Sequence, residues 1–78
     1  MNTTFFNDDK DEPIVNCELS VLPRIGDQVC ISIDGKKILG VALRVIHNIG
    51  NVKSDFDASV QKAEQHAEVW IETNGWNT

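Results

Sequence analysis

The stretch PRIGDQVCISIDGKKILG, Pro23–Gly40, carries the clearest structural signal in the chain. Apolar residues occupy every second position from Val29 to Ile33, which is the pattern of a half-buried strand. Asp34-Gly35 follows, and an Asp-Gly pair between two apolar runs is the strongest short signal for a β-hairpin. The stretch therefore predicts a hairpin whose turn depends on glycine.

Alternation of the same kind occurs on both sides of this hairpin. A strand is predicted from Ile14 to Val21, where Cys17 shares the apolar face, and Pro23 ends it. A longer strand is predicted from Ile38 to His47, with a bulge or bend at Gly40. Its predicted apolar face consists of Val41, Leu43 and Val45.

The pattern changes after residue 50. Ser54 resembles a helix cap, and Phe56, Val60 and Ala63 follow at helical spacing, which predicts a short helix near 55–65. Alternation then returns, with Ala67, Val69 and Ile71 on one parity and Glu68, Trp70 and Glu72 on the other. A last strand is predicted there.

The 78-residue length allows one domain. Residues 1–13 show no periodicity and contain the acidic run Asp8–Glu12, so we expect a flexible acidic tail there. Residues 14–78 are expected to form a single small β-barrel domain. The predicted fold class is mainly β: a small antiparallel barrel or roll of four to five strands with one short helix.

The run LPRIGDQVCISIDGKKILGVALRVIHNI resembles the core of SH3-like small barrels, in which a Gly-Asp turn opens a strongly bent hairpin. Its GDxV start is also similar to the KOW element of transcription and ribosomal proteins. The resemblance implies an SH3-like barrel. It departs from the KOW pattern at Lys36-Lys37 and in the absence of a basic surface.

Charge and apolar content limit the classes of partner. The chain has seven basic and twelve acidic residues, a formal charge of −5. Nucleic-acid binding draws most of its affinity from Lys and Arg at phosphates, so nucleic-acid partners are disfavoured, and so are acidic membrane surfaces. No apolar stretch approaches the roughly 20 residues that cross a bilayer. A cytoplasmic protein with reduced cysteines is expected.

The sequence contains no catalytic or metal-binding motif. Four residues could act as soft metal ligands, and they are Cys17, Cys30, His47 and His66. Each lies on a different predicted element, without the local pairs that zinc sites show. His47 could alternatively act as an acid–base or pH-sensing group near Asp55 or Asp57, although a histidine satisfied at a sheet margin is the simpler interpretation. We expect no enzyme activity, metal or cofactor.

Trp70 is the main candidate for a partner-binding residue. Strand parity places it on the polar face with His66, Glu68 and Glu72, and an exposed tryptophan is a common interface anchor. The alternative is that the helix, Trp76 or the Phe5-Phe6 pair covers it as a second small core.

The N-terminal sequence FFNDDKDEP is the second candidate. Phe5 and Phe6 precede Asp8 and Asp9, and an apolar pair beside an acidic run suits docking into a basic, apolar groove. The alternative is a disordered, solubilising tail.

Three functions remain open from the residues alone. The first is a non-catalytic module that binds another protein, in the manner of small accessory proteins of bacteria, phages or mobile elements that block a basic host site. The second is a KOW-type nucleic-acid-associated barrel that uses Lys36, Lys37 and Arg44. The third is a structural subunit that assembles with itself through unpaired strand edges.

Overall fold

In the part of the chain that the structure describes, five β-strands make up the regular structure. The structure is a computed structural model that describes residues 1–54 and 60–73. In chain order the strands are β1 (Asn2–Asn7), β2 (Glu12–Glu18), β3 (Gln28–Ile33), β4 (Lys36–Gly50) and β5 (Glu64–Glu72).

The strands form one sheet in the order β2-β1-β5-β4-β3. Neighbouring strands are antiparallel except β1 and β5, which are parallel. The sheet curls into a half-barrel. The prediction of a small, mainly β fold is therefore confirmed, and the curled sheet is compatible with an SH3-like barrel.

The concave inner face of the sheet holds the core. Phe5, Ala42, Val69 and Ile71 form it, and each is 4% exposed or less. Half-buried apolar side chains from both ends of the sheet pack against this cluster; they are Ile14, Val15, Cys17, Leu19, Val29, Ile31 and Ile38. Curling is what allows a single sheet to pack its two margins onto one core.

The β3–β4 hairpin has the predicted turn. Asp34 and Gly35 link the strands with φ values of 50° and 80°, and the closing pair is Ile33 with Lys36. Two positive φ angles are typical of a type I′ turn, whose twist matches that of the paired strands. Glycine accepts this conformation without a Cβ clash.

The predicted apolar face of β4 was wrong, because a bulge interrupts its alternation. The register with β5 shifts between Ala42 and Arg44, so that Leu43 is an extra residue and is 37% exposed. Val41 pairs opposite Glu72 and Val45 pairs opposite Val69. These two valines therefore lie on opposite faces, and Ala42 takes the core position.

Gly40 is required for close approach and not for the bulge predicted there. The β3–β4 register runs through it without a shift. A Cβ at this position would lie 2.8 Å from the carbonyl oxygen of Glu72 and 3.2 Å from Ile71 Cδ1. Glycine is thus the residue that lets β4 approach the end of β5 at this point.

The expected tail over residues 1–13 is not what these residues form. Asn2–Asn7 is a strand between β2 and β5, and Thr3 and Phe5 are 1% and 4% exposed. Thr and Phe favour strands because they pack well on a pleated surface. The acidic residues after Asn7 make the turn into β2, where Asp11 has a φ of 53°.

The predicted helix near 55–65 is not seen in the part of it that the structure describes. Residues 55–59 lie outside the described residues, and 60–63 have no regular structure. Glu64 and Gln65 already belong to β5, which begins three residues before the predicted start at Ala67.

Candidate interaction surface

The convex outer face of the sheet carries Trp70, as the parity of β5 predicted. Trp70 does not project freely, because two neighbouring side chains cover its ring and leave it half-buried. The Phe6 ring stacks on it with centroids 4.3 Å apart and planes 9° apart. The Arg44 guanidinium lies 4.6 Å from the ring centroid, within the range of a cation–π contact.

Sheet register explains why these three side chains meet. Phe6 on β1 and Arg44 on β4 are the direct neighbours of Trp70 on the two sides of β5. Residues opposite each other on adjacent strands point to the same face. The indole is therefore held between two neighbours in one row across the sheet.

Glu68 fixes the indole from the same strand. Its Oε1 accepts a hydrogen bond from Trp70 Nε1 at 3.1 Å, and its Oε2 accepts one from Asn48 Nδ2 at 3.1 Å. A single carboxylate thus links the tryptophan to β4. The hydrogen bond from Asn48 holds the Glu68 carboxylate in place, and the hydrogen bond to Oε1 then restrains the orientation of the indole ring.

Asp8 completes the arrangement from the β1–β2 turn. Its Oδ1 lies 3.5 Å from Arg44 Nη2, and the two side chains are 36% and 55% exposed. A solvent-exposed pair of this kind contributes little to stability, about 0–1 kcal/mol. We call Phe6, Asp8, Arg44, Glu68 and Trp70 the Trp70 cluster.

Two further predicted residues lie on the outer face beside the cluster. Glu72 is exposed and follows Trp70 on the same face of β5. His66 is exposed, and its Nε2 is 2.9 Å from the hydroxyl of Thr4. That hydroxyl also bonds to Asn16 Oδ1, so His66 is tied to the polar side chains of β1 and β2.

Phe5 and Asp9 do not belong to this surface. Phe5 points inward and is 4% exposed. Asp9 Oδ2 accepts hydrogen bonds from the backbone N–H and the hydroxyl of Thr73, at 3.2 and 3.3 Å. Their positions are structural: one fills the core and the other fastens the β1–β2 turn to the end of β5.

The basic residues of the nucleic-acid hypothesis are spread along β4. Lys36 and Lys37 lie beside the hairpin turn and are exposed. Arg44 follows seven residues after Lys37, which separates the two along a strand by roughly 23 Å. Arg44 also contacts Asp8 and Trp70, so these three residues do not form one basic patch.

Sequence reasoning did not place Arg44 and Asn48 beside Trp70. The bulge at Leu43 concealed the parity of Arg44. Asn48 lies beyond the predicted end of its strand, whereas β4 continues to Gly50. The β-favouring sequence NTTFFN was the signal that could have predicted β1 and hence a neighbour for Trp70.

The candidate metal ligands stay apart. Cys17 lies half-buried against the core, and Cys30 is exposed on β3. His47 is exposed on β4, while Asp55 and Asp57, its suggested partners, lie outside the described residues. Over residues 1–54 and 60–73, no group of three or more His, Cys, Asp or Glu side chains is arranged to hold a metal ion.

Comparison with known proteins adds no relative: no family model, curated protein or solved structure matches this chain. Residues 1–54 and 60–73 contain no helix that is long and apolar enough to cross a membrane.

Proposed function

We propose that the protein is a non-catalytic interaction module that binds another protein through the Trp70 cluster and its acidic surroundings. The observation that carries this proposal is the way the indole is held. Phe6 stacks on it, Arg44 lies over it, and Glu68 accepts the hydrogen bond of its N–H.

An anchor held in this way is preorganised for binding. Association costs about 0.5–1.5 kcal/mol for each flexible side chain that the interface immobilises. Trp70 already has its ring plane and its polar atom restrained before any partner arrives. Tryptophan and arginine are also the residue types that most often dominate binding energy at interfaces.

Charge indicates the chemistry of the partner. The chain carries a net charge of −5, and exposed Glu72 lies beside the cluster. Complementary potentials speed association and exclude partners of like charge. The proposed partner therefore presents a basic surface with an apolar pocket or ridge, as at a nucleic-acid-binding site that the module would occupy.

The nucleic-acid hypothesis has less support. Arg44 already contacts the Asp8 carboxylate and the indole of Trp70. Lys36 and Lys37 lie at the other end of the same strand, far from Arg44. The separate test is a salt titration against mixed RNA and DNA, because phosphate contacts give a steep dependence on salt.

The direct test uses the immobilised 78-residue chain to capture partners from a lysate of its source cells, identified by mass spectrometry. The surface variant is Glu72→Lys, which reverses a charge beside the cluster without removing a contact of Trp70. Glu12→Lys is the matched control, because Glu12 is exposed and pairs with Asn7 on the inner parity of the sheet.

We expect Glu72→Lys to weaken binding of the captured protein at least tenfold, while Glu12→Lys binds within about twofold of the original chain. Equal binding by both variants would contradict the proposed surface. Capture of nucleic acid with a steep salt dependence would favour the KOW-type alternative instead.

A further inference from the structure

The two edge strands of the sheet differ in how they are protected. Charged residues and proline on an edge normally prevent pairing with other chains. β2 has such residues, since Glu12, Pro13 and Glu18 are all exposed. β3 has the sequence QVCISI, without a charge or a proline. Over residues 1–54 and 60–73, no strand pairs with its outer edge.

The loop beside the β3 edge exposes apolar side chains together with the charged Arg24 and Asp27. The loop that leads into β3 exposes Val21 to 81% and Ile25 to 69%. A shallow depression of about 510 Å³ lies between this loop and the first half of β3, lined by Val21, Leu22, Pro23, Asp27, Gln28, Val29 and Cys30. An unprotected edge beside exposed apolar side chains is suited to cover by another strand.

We propose that the β3 edge pairs with β3 of a second copy of this chain, in an antiparallel and two-fold symmetric arrangement. The sheets of two half-barrels would then continue through the axis. This inference is independent of the proposed function, because the Trp70 cluster lies on β1, β4, β5 and the β1–β2 turn, away from the paired edge.

The backbone of β3 has the orientation that such pairing needs. The two-residue turn closes on Ile33 and Lys36, and the closing pair of such a turn is hydrogen-bonded. Odd-numbered residues of β3 therefore bond to β4, in agreement with the bond from Ala42 N to Asp27 O at 2.9 Å. The N–H and C=O groups of Gln28, Cys30 and Ser32 consequently point outward.

A two-fold axis would place the outward-pointing N–H and C=O groups of one β3 strand opposite those of the second copy. Opposed residues of an antiparallel pair share a face, so inner residues must oppose inner ones and outer residues outer ones. Registers centred on Cys30 or on Ile31 satisfy this condition. In both, even-numbered residues oppose even-numbered residues, and the two Cys30 side chains come within about 8 Å on the outer face.

The chemistry of β3 favours a copy of itself over another strand. Two-fold symmetry opposes each strand to its own sequence, and an uncharged strand has no like charges to oppose.

The test measures mass against concentration by analytical ultracentrifugation of the full chain under reducing conditions. We expect a species of twice the 8.7 kDa chain mass to grow with concentration. Cys30→Lys and Ser32→Lys place a charge on the paired edge, and each should weaken the dimer at least tenfold. Glu18→Gln makes the same change in net charge on the other edge and should leave the dimer unchanged.

Cross-linking gives a second result that does not depend on how the lysine variants fold. A short bifunctional thiol reagent should link two copies of Cys17→Ser, which retains Cys30, and should not link Cys30→Ser. A chain that stays monomeric up to about 1 mM, or a dimer that cross-links equally well without Cys30, would overturn the proposal.

Discussion

Phe5 and Phe6 are adjacent in sequence, yet they lie on opposite faces of the sheet and in different surroundings. Phe5 is 4% exposed in an apolar core with Val69 and Ile71. Phe6 is half-buried against Trp70, in a cluster that also contains one cation and two carboxylates. Burial of apolar side chains away from water stabilises the inner face, whereas a stacking contact, a cation–π contact and a hydrogen bond hold the side chains of the outer face.

This difference separates stability from recognition. Burial of apolar area is non-directional and grows with the area removed from water, so the inner face should dominate the free energy of unfolding. The outer face holds one aromatic side chain in a defined position with polar groups around it, which is the arrangement of a binding surface. Substitutions on the two faces should therefore differ in size.

The largest effect is expected for Phe5→Ala. Removing a buried phenylalanine leaves a cavity and typically costs about 3–5 kcal/mol, so the free energy of unfolding in urea should fall by that amount or the variant should be unfolded. Phe6→Ala is the matched control and should cost about 1–2 kcal/mol, the value of a stacking contact and part of its area. Equal losses would remove the distinction between the faces.

Trp70→Ala should have the next largest effect, a loss of about 2–3 kcal/mol. The variant loses the stack on Phe6, the contact with Arg44 and half-buried apolar area. Trp70→Phe keeps a ring and should lose about half as much. Thermal melts compare the two. An unchanged melt for Trp70→Ala would show that the cluster does not form, and a loss equal to that of Phe5→Ala would make it a second core.

Gly40→Ala tests how tightly the inner face is packed. The added Cβ would meet the Glu72 carbonyl at 2.8 Å, and overpacking of this kind costs about 1–3 kcal/mol. Gly50→Ala is the control, because a Cβ there has no atom within 4 Å among the described neighbours. Urea unfolding should place Gly40→Ala well below Gly50→Ala. The reverse order would contradict the close approach.

The smallest effect is expected at the turn that sets the register between β3 and β4. Gly35→Val places a β-branched residue at a φ of 80°, which costs about 1–2 kcal/mol. Gly35→Asn should cost less, since asparagine tolerates positive φ. Differential scanning calorimetry should show the valine variant melting lower. Equal melting temperatures for all three chains would contradict the role of Gly35.

Local signals predicted part of this structure correctly. The Asp34-Gly35 hairpin and the parity of Trp70 against Ile71 depend on residues close together in sequence, so periodicity and turn chemistry could show them. β1 was missed because it is short and followed by an acidic turn, which together resembled a tail. The face of β4 was missed because one extra residue, Leu43, reverses the alternation after it.

The sequence by itself determined that the chain consists of short strands with one glycine-dependent hairpin, and that acidic residues outnumber basic ones. These properties follow from backbone preferences and from charges that each residue carries into any fold. Tertiary structure alone decided that β1 inserts between β2 and β5, which brings Phe6 beside Trp70, and that β3 is an edge strand of the sheet over residues 1–54 and 60–73. Pairing of strands far apart in sequence depends on the entropy of loop closure and on burial of apolar side chains from distant strands, and neither can be predicted from a local sequence pattern.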